Sequence, residues 1–418
     1  MVEGPTDRRS WYGQARLHVV LVVHLLRWVL LGGASGILAG FASYAFLRSV
    51  SWATDTRLDH GWLLYLLPLA GLVVGLAYHY VGGRSALGAN LILDEIHEPQ
   101  AWVPRRMAPL VFAGSVVTHV FGGSAGREGT AVQMSGSLSD LLARALRLSP
   151  ADRRLLLVAA IAGGFGSVFG VALAGCLFAL EVQAVGRVRY DAIVPAMTAS
   201  LVGDRVVQAL GYHHERMPIL AGPDLSIPLV AKVLVVGLAC GLVALAFAEL
   251  THAVHRAFAA YISWPPLRPV VGGLIVLLMT AVVGNRDYLG LSVPLITKSL
   301  AGGVGVAGIA FALKLLFTSV TLGSGFPGGE VTPLFVIGAA LGASLAHPLG
   351  LPVTLSAAVG FVAVFAGATN TPLACTILGV EMFGAGPIVL LAVACIASYV
   401  ISGESGIYTS QRRGTIEG

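Results

Sequence analysis

From residue 331 to residue 403 the chain holds one Asp, Glu, Lys or Arg, and that residue is Glu381. A stretch of this length with a single charge cannot coat itself for water, so it constrains the fold more than any motif does. Uncharged apolar runs also cover 28–47, 60–83, 155–180 and 315–329. A membrane-spanning helix needs roughly 20 such residues. The pattern predicts an all-α polytopic membrane protein with ten or more membrane helices, several of them short. Composition agrees: 56% of the 418 residues are hydrophobic and 11% charged, against roughly 25% charged in soluble domains.

The charged start (Arg8, Arg9, Arg16) leads into an apolar stretch too long for a cleaved signal peptide. Residues 1–24 are expected to form a cytoplasmic or interfacial helix. Basic residues there, in the loop 144–154 (Arg144, Arg147, Arg153, Arg154) and at Arg412 and Arg413 favour cytoplasmic placement of both termini. The net charge of +5 reflects that bias. Nucleic acid is excluded as a partner, because the charges are scattered and lack aromatic companions. Cys176, Cys240, Cys375 and Cys395 lie inside apolar runs without metal-ligand spacing, so they read as buried thiols. GGVGVAG (302–308) matches a dinucleotide-loop pattern, but no strand precedes it. It reads as helix packing or a helix break. No cofactor and no metal are expected.

The chain repeats itself. Gly126-Arg127-Glu128-Gly129-Thr130 returns as Gly328-Gly329-Glu330-Val331-Thr332, and LAGCLFALE (173–181) returns as LACTILGVE (373–381). Two matches in one order at nearly one offset divide the chain into homologous halves, 25–215 and 225–418. Duplicated halves are the architecture of transporters, commonly of inverted topology, with the substrate held near the midplane by broken helices. Glycines before each Glu permit unwound backbone, and GSGFPGG (323–329) is too rich in Gly and Pro for a continuous helix.

A helix N-terminus offers unpaired N–H groups and about half a positive charge, so two of them meeting in the membrane make an anion site. A carboxylate there is costly and marks an ion or proton path. Ionised, Glu128 occupies the anion site itself; protonated, it leaves and an anion enters. Such a group couples anion and proton movement in opposite directions.

These residues resemble the CLC family of anion channels and transporters. GREGT followed by AVQM is similar to its GK/RxGP signature, GSGFPGG to its GxFxP motif, and LAGCLFALE to its PLAGxLFxxE segment; the likeness runs from about residue 25 to 410. It implies a homodimer of inverted-repeat subunits, each with its own anion path and broken helices meeting at the midplane. Three departures resemble the bacterial fluoride/proton antiporter branch, CLC-F. Thr130 replaces a proline, GGEVT carries Glu330 and Thr332 in place of an apolar start, and LGANLILDEIH (87–97) replaces a serine-bearing segment.

The resemblance makes Glu128 the gating glutamate and Tyr408 the anion-facing tyrosine. It makes Glu181 the first acid of an acid pair whose second member is Val182 here, with Glu330 a candidate for the missing acid. The implied anion-binding residues are Ala89 or Asn90, Gly126, Arg127, Gly129, Thr130, Gly325, Phe326, Thr332 and Tyr408. Between the first two, Asn90 is favoured because an amide donates. For Thr332 a helix cap, and for Tyr408 an interfacial anchor, are alternatives. Asp94, Glu95 and His97 read as a solvated mouth.

The implied function is export of cytoplasmic fluoride against inward proton flow, across a bacterial plasma membrane. Alternatives are a chloride-selective CLC exchanger or channel, and a cation transporter using Glu128, Glu330 and Glu381 as ligands. No HExxH, nucleophile elbow or His/Cys cluster supports an enzyme, and no regulatory tail is expected beyond Tyr408.

Overall fold

Apolar runs punctuated by Gly, Pro and Asn fold into helices, many of them too short to cross a bilayer. The computed structural model describes residues 7–412 except 216, 304 and 307, with side chains from 18 onward. The expected roles of Arg8, Arg9, Arg16 and Arg413 therefore lie outside the described side chains. The first half comprises α1 (Asp7–Asp59), α2 (Leu67–Ala77), α3 (Ala89–His97), α4 (Met107–Val120), α5 (Glu128–Ala145), α6 (Pro150–Phe169), α7 (Ala172–Glu181) and α8 (Ile193–Ala209). The second half repeats the order: α9 (Ile227–Tyr261), α10 (Leu267–Val283), α11 (Val293–Leu300), α12 (Ala310–Gly323), α13 (Val331–Leu349), α14 (Val353–Thr369), α15 (Pro372–Phe383) and α16 (Ile388–Ser402).

Among the described residues, four helical stretches are long and apolar enough to cross a bilayer, while seven apolar helices have only 10–17 residues. The expected ten or more helices are there, yet most are fragments, because their ends are written into the sequence. α6 opens on Ser149, whose hydroxyl accepts the Asp152 N–H at 3.1 Å, and Pro150 follows as its first residue. α14 closes on Asn370 in the left-handed conformation, φ 56°. From Asp7 onward the expected interfacial segment is continuous with the first span, since α1 runs unbroken for 53 residues. GGVGVAG falls between α11 and α12, with Gly302, Gly303 and Gly305 at positive φ, which is a helix break.

One kind of contact packs neighbouring helices of the second half, and another joins the halves. Gly338 and Gly342 of α13 face Gly360 and Ser356 of α14 so closely that a Cβ on either glycine would collide with backbone. Without a hydrophobic drive between helices in lipid, such close approach supplies the packing energy. At the centre Phe165 and Phe365 stack 5.9 Å apart with planes 9° from parallel. They are separated in sequence by the same offset as Glu181 and Glu381, and those two acids are related in the same way. Glu381 accepts the Leu173 and Ala174 N–H groups at 3.0 and 2.8 Å, and Glu181 accepts those of Leu373 and Ala374 at 3.1 and 2.8 Å. α7 and α15 thus cap each other reciprocally.

Two sequence expectations need correction. Glu95 is fully buried, and Arg84 (2.6 Å) and Arg153 (3.1 Å) pair with it, so it is no part of a solvated mouth. Asp94 is exposed, and His97 Nε2 lies 2.8 Å from the Gln183 carbonyl. Arg153 itself is 5% exposed, pairs with Asp140 at 2.5 Å and stacks on Trp102, as Arg144 does. Part of the basic loop is therefore an internal ion-pair network. All four cysteines are buried and free.

Candidate functional site

The two repeated Gly-x-Glu motifs come together as broken ends of α5 and α13. Gly126 N–H donates to the Gly329 carbonyl at 2.6 Å, and Gly329 N–H donates to the Gly126 carbonyl at 2.8 Å. This two-bond clasp fixes the start of each helix against the other. A Cβ on Gly329 would lie 2.7 Å from the Gly129 nitrogen, so only glycine allows the approach.

Glu128, the first residue of α5, is fully buried. Its carboxylate does not cap its own helix alone. It reaches across to α13, where the Thr332 N–H donates at 3.0 Å and the Thr332 hydroxyl donates to the other oxygen. The Arg127 N–H at 3.1 Å and Arg127 Nε at 3.4 Å complete the set. A carboxylate held by an opposing helix N-terminus occupies the place an anion would take.

Glu330 is the N-cap residue of α13 and only half-buried. Its Oε2 lies against Gly129, where a Cβ would approach to 3.2 Å. Tyr408 packs edge-on against Phe178, ring centroids 6.5 Å apart. Asn90, in the first turn of α3, accepts the Ser410 N–H at 3.1 Å through Oδ1. Asn90 therefore ties α3 to the C-terminal segment carrying Tyr408, while Ala89 beside it offers only backbone.

The remaining predicted residues divide by what already satisfies them. Arg127 bridges Glu128 and the Tyr212 hydroxyl, 3.5 Å away. Gly126 uses both backbone groups in the clasp. The Thr130 hydroxyl is 2.6 Å from Ser115 Oγ in a buried pair, which turns it away from the Glu128 carboxylate. Phe326 is buried against Gly71 of α2, and Gly325 is exposed at φ 104°; neither is brought to the carboxylate. Glu381 uses both oxygens on α7. The cation-transporter reading therefore loses a ligand, and among the described residues no cluster of acids, His or Cys could hold a metal.

A cavity of about 490 Å³ leads to Thr332, lined among others by Arg57, Arg127, Tyr212, His214, Arg286, Ser292 and Phe335. Lys314, fully buried in α12, joins two of its walls. Its Nζ donates to Ser124 Oγ (2.9 Å) in the loop before Glu128, and to the Gly290 carbonyl (2.7 Å) and Ser292 Oγ (2.9 Å) before α11. Sequence reading passed over Lys314 and Arg57. Lys314 is a single cation between apolar runs, a signal that an intramembrane charge should have raised, whereas Arg57 stands between Asp55 and Asp59.

The family model described as "Voltage gated chloride channel" matches residues 70–403. A "Chloride/fluoride channel protein" of Pseudomonas syringae pv. tomato is 47% identical over 400 residues, 94% of this chain and 88% of the relative. An "H(+)/Cl(-) exchange transporter ClcA" of Yersinia pestis is 27% identical over 409 residues, covering 90% and 84%. The crystal structure of a CLC-type fluoride/proton antiporter superposes with a TM-score of 0.90 at 34% identity, over 93% of this chain and 98% of that one. A slow cyanobacterial Cl-/H+ antiporter shares the fold, with a TM-score of 0.76, 18% identity and coverage of 92% and 96%. With its clasped helix ends, its capped repeats and a family match across most of its length, the chain belongs to the CLC family.

Proposed function

We propose that this CLC protein is an anion/proton antiporter whose anion is fluoride, exporting it from the cytoplasm against inward proton flow. The observation that carries the reading is the Glu128 carboxylate seated on the Thr332 N–H and hydroxyl. An anion and an ionised Glu128 compete for the same donors. Protonation of Glu128 removes its charge, weakens its hold on those donors and frees them. Each cycle then exchanges one anion-for-carboxylate replacement for one proton carried.

Fluoride is small and tightly hydrated, so a site that strips its water must present several short-range donors. Thr332 supplies two and Arg127 supplies backbone and side-chain N–H groups, and we assign Tyr408 and the Asn90 amide nitrogen as further donors. Glu330, half-buried beside Gly129, is the group we assign to hand protons or fluoride onward where Val182 cannot. The Pseudomonas chloride/fluoride channel protein at 47% identity and the fluoride/proton antiporter at 34% support the choice of anion. The reciprocal capping of α7 and α15 supports inverted halves. We further assign the protein to a bacterial plasma membrane as a homodimer with both termini cytoplasmic.

A chloride-selective exchanger is the second reading, favoured by the chloride named beside fluoride in the Pseudomonas relative. Efflux of fluoride and of chloride from proteoliposomes, with external pH recorded, separates the two. Fluoride efflux accompanied by proton uptake, exceeding chloride efflux, is expected. Equal or greater coupled chloride efflux rejects fluoride as the preferred anion.

A further inference from the structure

The cavity above Thr332 contains a cation with nothing to neutralise it. Arg57, in the last turn of α1, is 8% exposed and lines the cavity. Its Nε is sealed from solvent without a hydrogen-bond partner, and among the described residues no carboxylate lies within ion-pair distance of the guanidinium. The charged groups around it are further cations: Lys314, whose Nζ reaches the same Gly290, and Arg286, which also lines the cavity and also lacks an ion pair. The guanidinium lies flat against Gly290, where a Cβ would come within 3.2 Å of Nη2. The Gly290 carbonyl is already taken by Lys314.

A buried charge without a partner is costly, and proteins seldom keep one unless a ligand completes it. Three acids, Asp55, Glu215 and Asp287, line the same cavity, but all three are solvent-exposed and none pairs with Arg57 or Arg286. Exposed carboxylates are screened by water; Arg57 is not. Arg127, the third cation of the lining, is held by Glu128.

We propose that Arg57, with Arg286 behind it, forms a second anion-binding station in this cavity, for the small inorganic anion that the protein transports. The station is separate from the donors of Thr332, which Glu128 occupies. An anion paired to Arg57 waits in the cavity until Glu128 is protonated and vacates Thr332, or rests there after leaving. Binding at Thr332 requires displacement of a carboxylate and is therefore linked to a proton. Binding at Arg57 displaces no titrating group and is not. The inference rests on the antiporter reading only for the identity of the anion.

Equilibrium titration of purified protein with fluoride and with chloride tests this, at pH 8.5 where Glu128 competes most strongly. Wild type should retain pH-independent binding of one anion, Arg57→Gln should weaken that binding at least tenfold, and Arg57→Lys should restore it to within about threefold. Proton-coupled exchange should survive in Arg57→Gln at saturating anion. Unchanged affinity in Arg57→Gln overturns the station. If Arg57→Gln does not assemble, Arg286→Gln, exposed and unpaired, replaces it: a two- to threefold weakening supports the proposal and an unaltered affinity overturns it. A wild type that binds chloride but not fluoride would sink the fluoride reading and leave the Arg57 test to run with chloride.

Discussion

Replacing Glu381 by Gln should shorten the lifetime of the fold and leave proton coupling intact. Both oxygens of Glu381 accept N–H groups from the first turn of α7, at 3.0 and 2.8 Å. Hydrogen bonds to a charged acceptor contribute about 1.5–3 kcal/mol each, and neutral ones about 0.5–1.5. Gln keeps one neutral acceptor, turns an NH2 group toward the second N–H, and forfeits the charge that favours a helix N-terminus by about 0.3–1 kcal/mol. Because Glu381 is half-buried, water recovers part of the loss, and a net cost of about 2–3 kcal/mol follows. If the cap is broken in the unfolding transition state, irreversible inactivation on heating should accelerate roughly 30- to 150-fold. The assay is the loss of monodisperse protein with time at fixed temperature, alongside flux in liposomes at 25 °C. Glu181→Gln, its counterpart on α15, should behave alike. A Glu381→Gln protein with a wild-type lifetime and no proton coupling would refute the reasoning and return Glu381 to the transport path.

Three further outcomes follow from the site. Glu330→Ala should slow coupled fluoride flux at least tenfold, about 1.4 kcal/mol on the limiting barrier, with assembly unchanged; full activity would reduce Glu330 to a helix cap. Asn90→Ser or Ala89→Ser should raise chloride flux relative to fluoride by about tenfold, or roughly 1.4 kcal/mol, and ratios unchanged in both would remove the α3 start from the anion path. A dimer of one wild-type and one Glu128→Gln subunit should keep half the flux, because both clasped motifs lie in one chain; no flux would point to a shared path.

The sequence made legible what chemistry makes costly. Glu128 and Glu330 stood out because acids in apolar runs need a reason, and their repetition gave the halves. What it could not show was which helix end each acid would meet. Glu128 was read as occupying a site made by two meeting helix ends, without a choice between them; its carboxylate rests on Thr332 of the second motif. That pairing depends on the Gly126–Gly329 clasp, a backbone contact that no side-chain pattern encodes. Thr130 and Thr332 occupy equal places in the repeat, yet one hydroxyl turns to Ser115 and the other to Glu128. The neighbouring α4 decides this. Glu381 was conspicuous as the one charge in its long run, but its cap on α7 became visible only with the halves in place. Lys314 was overlooked because a lone cation flanked by apolar runs resembles the border of a span until burial is known, and Arg57 because Asp55 and Asp59 beside it read as a solvated loop.

The central claim is that Glu128 and the transported anion compete for the donors at the start of α13. Adding fluoride to the purified protein in weakly buffered solution near pH 7, with a pH indicator, tests it most directly. Fluoride should lift the carboxylate from Thr332 into surroundings where it binds a proton, so wild type should take protons from solution, and Glu128→Gln should take none. A wild-type protein that binds fluoride without proton uptake, or a Glu128→Gln protein that takes up protons as wild type does, would contradict it.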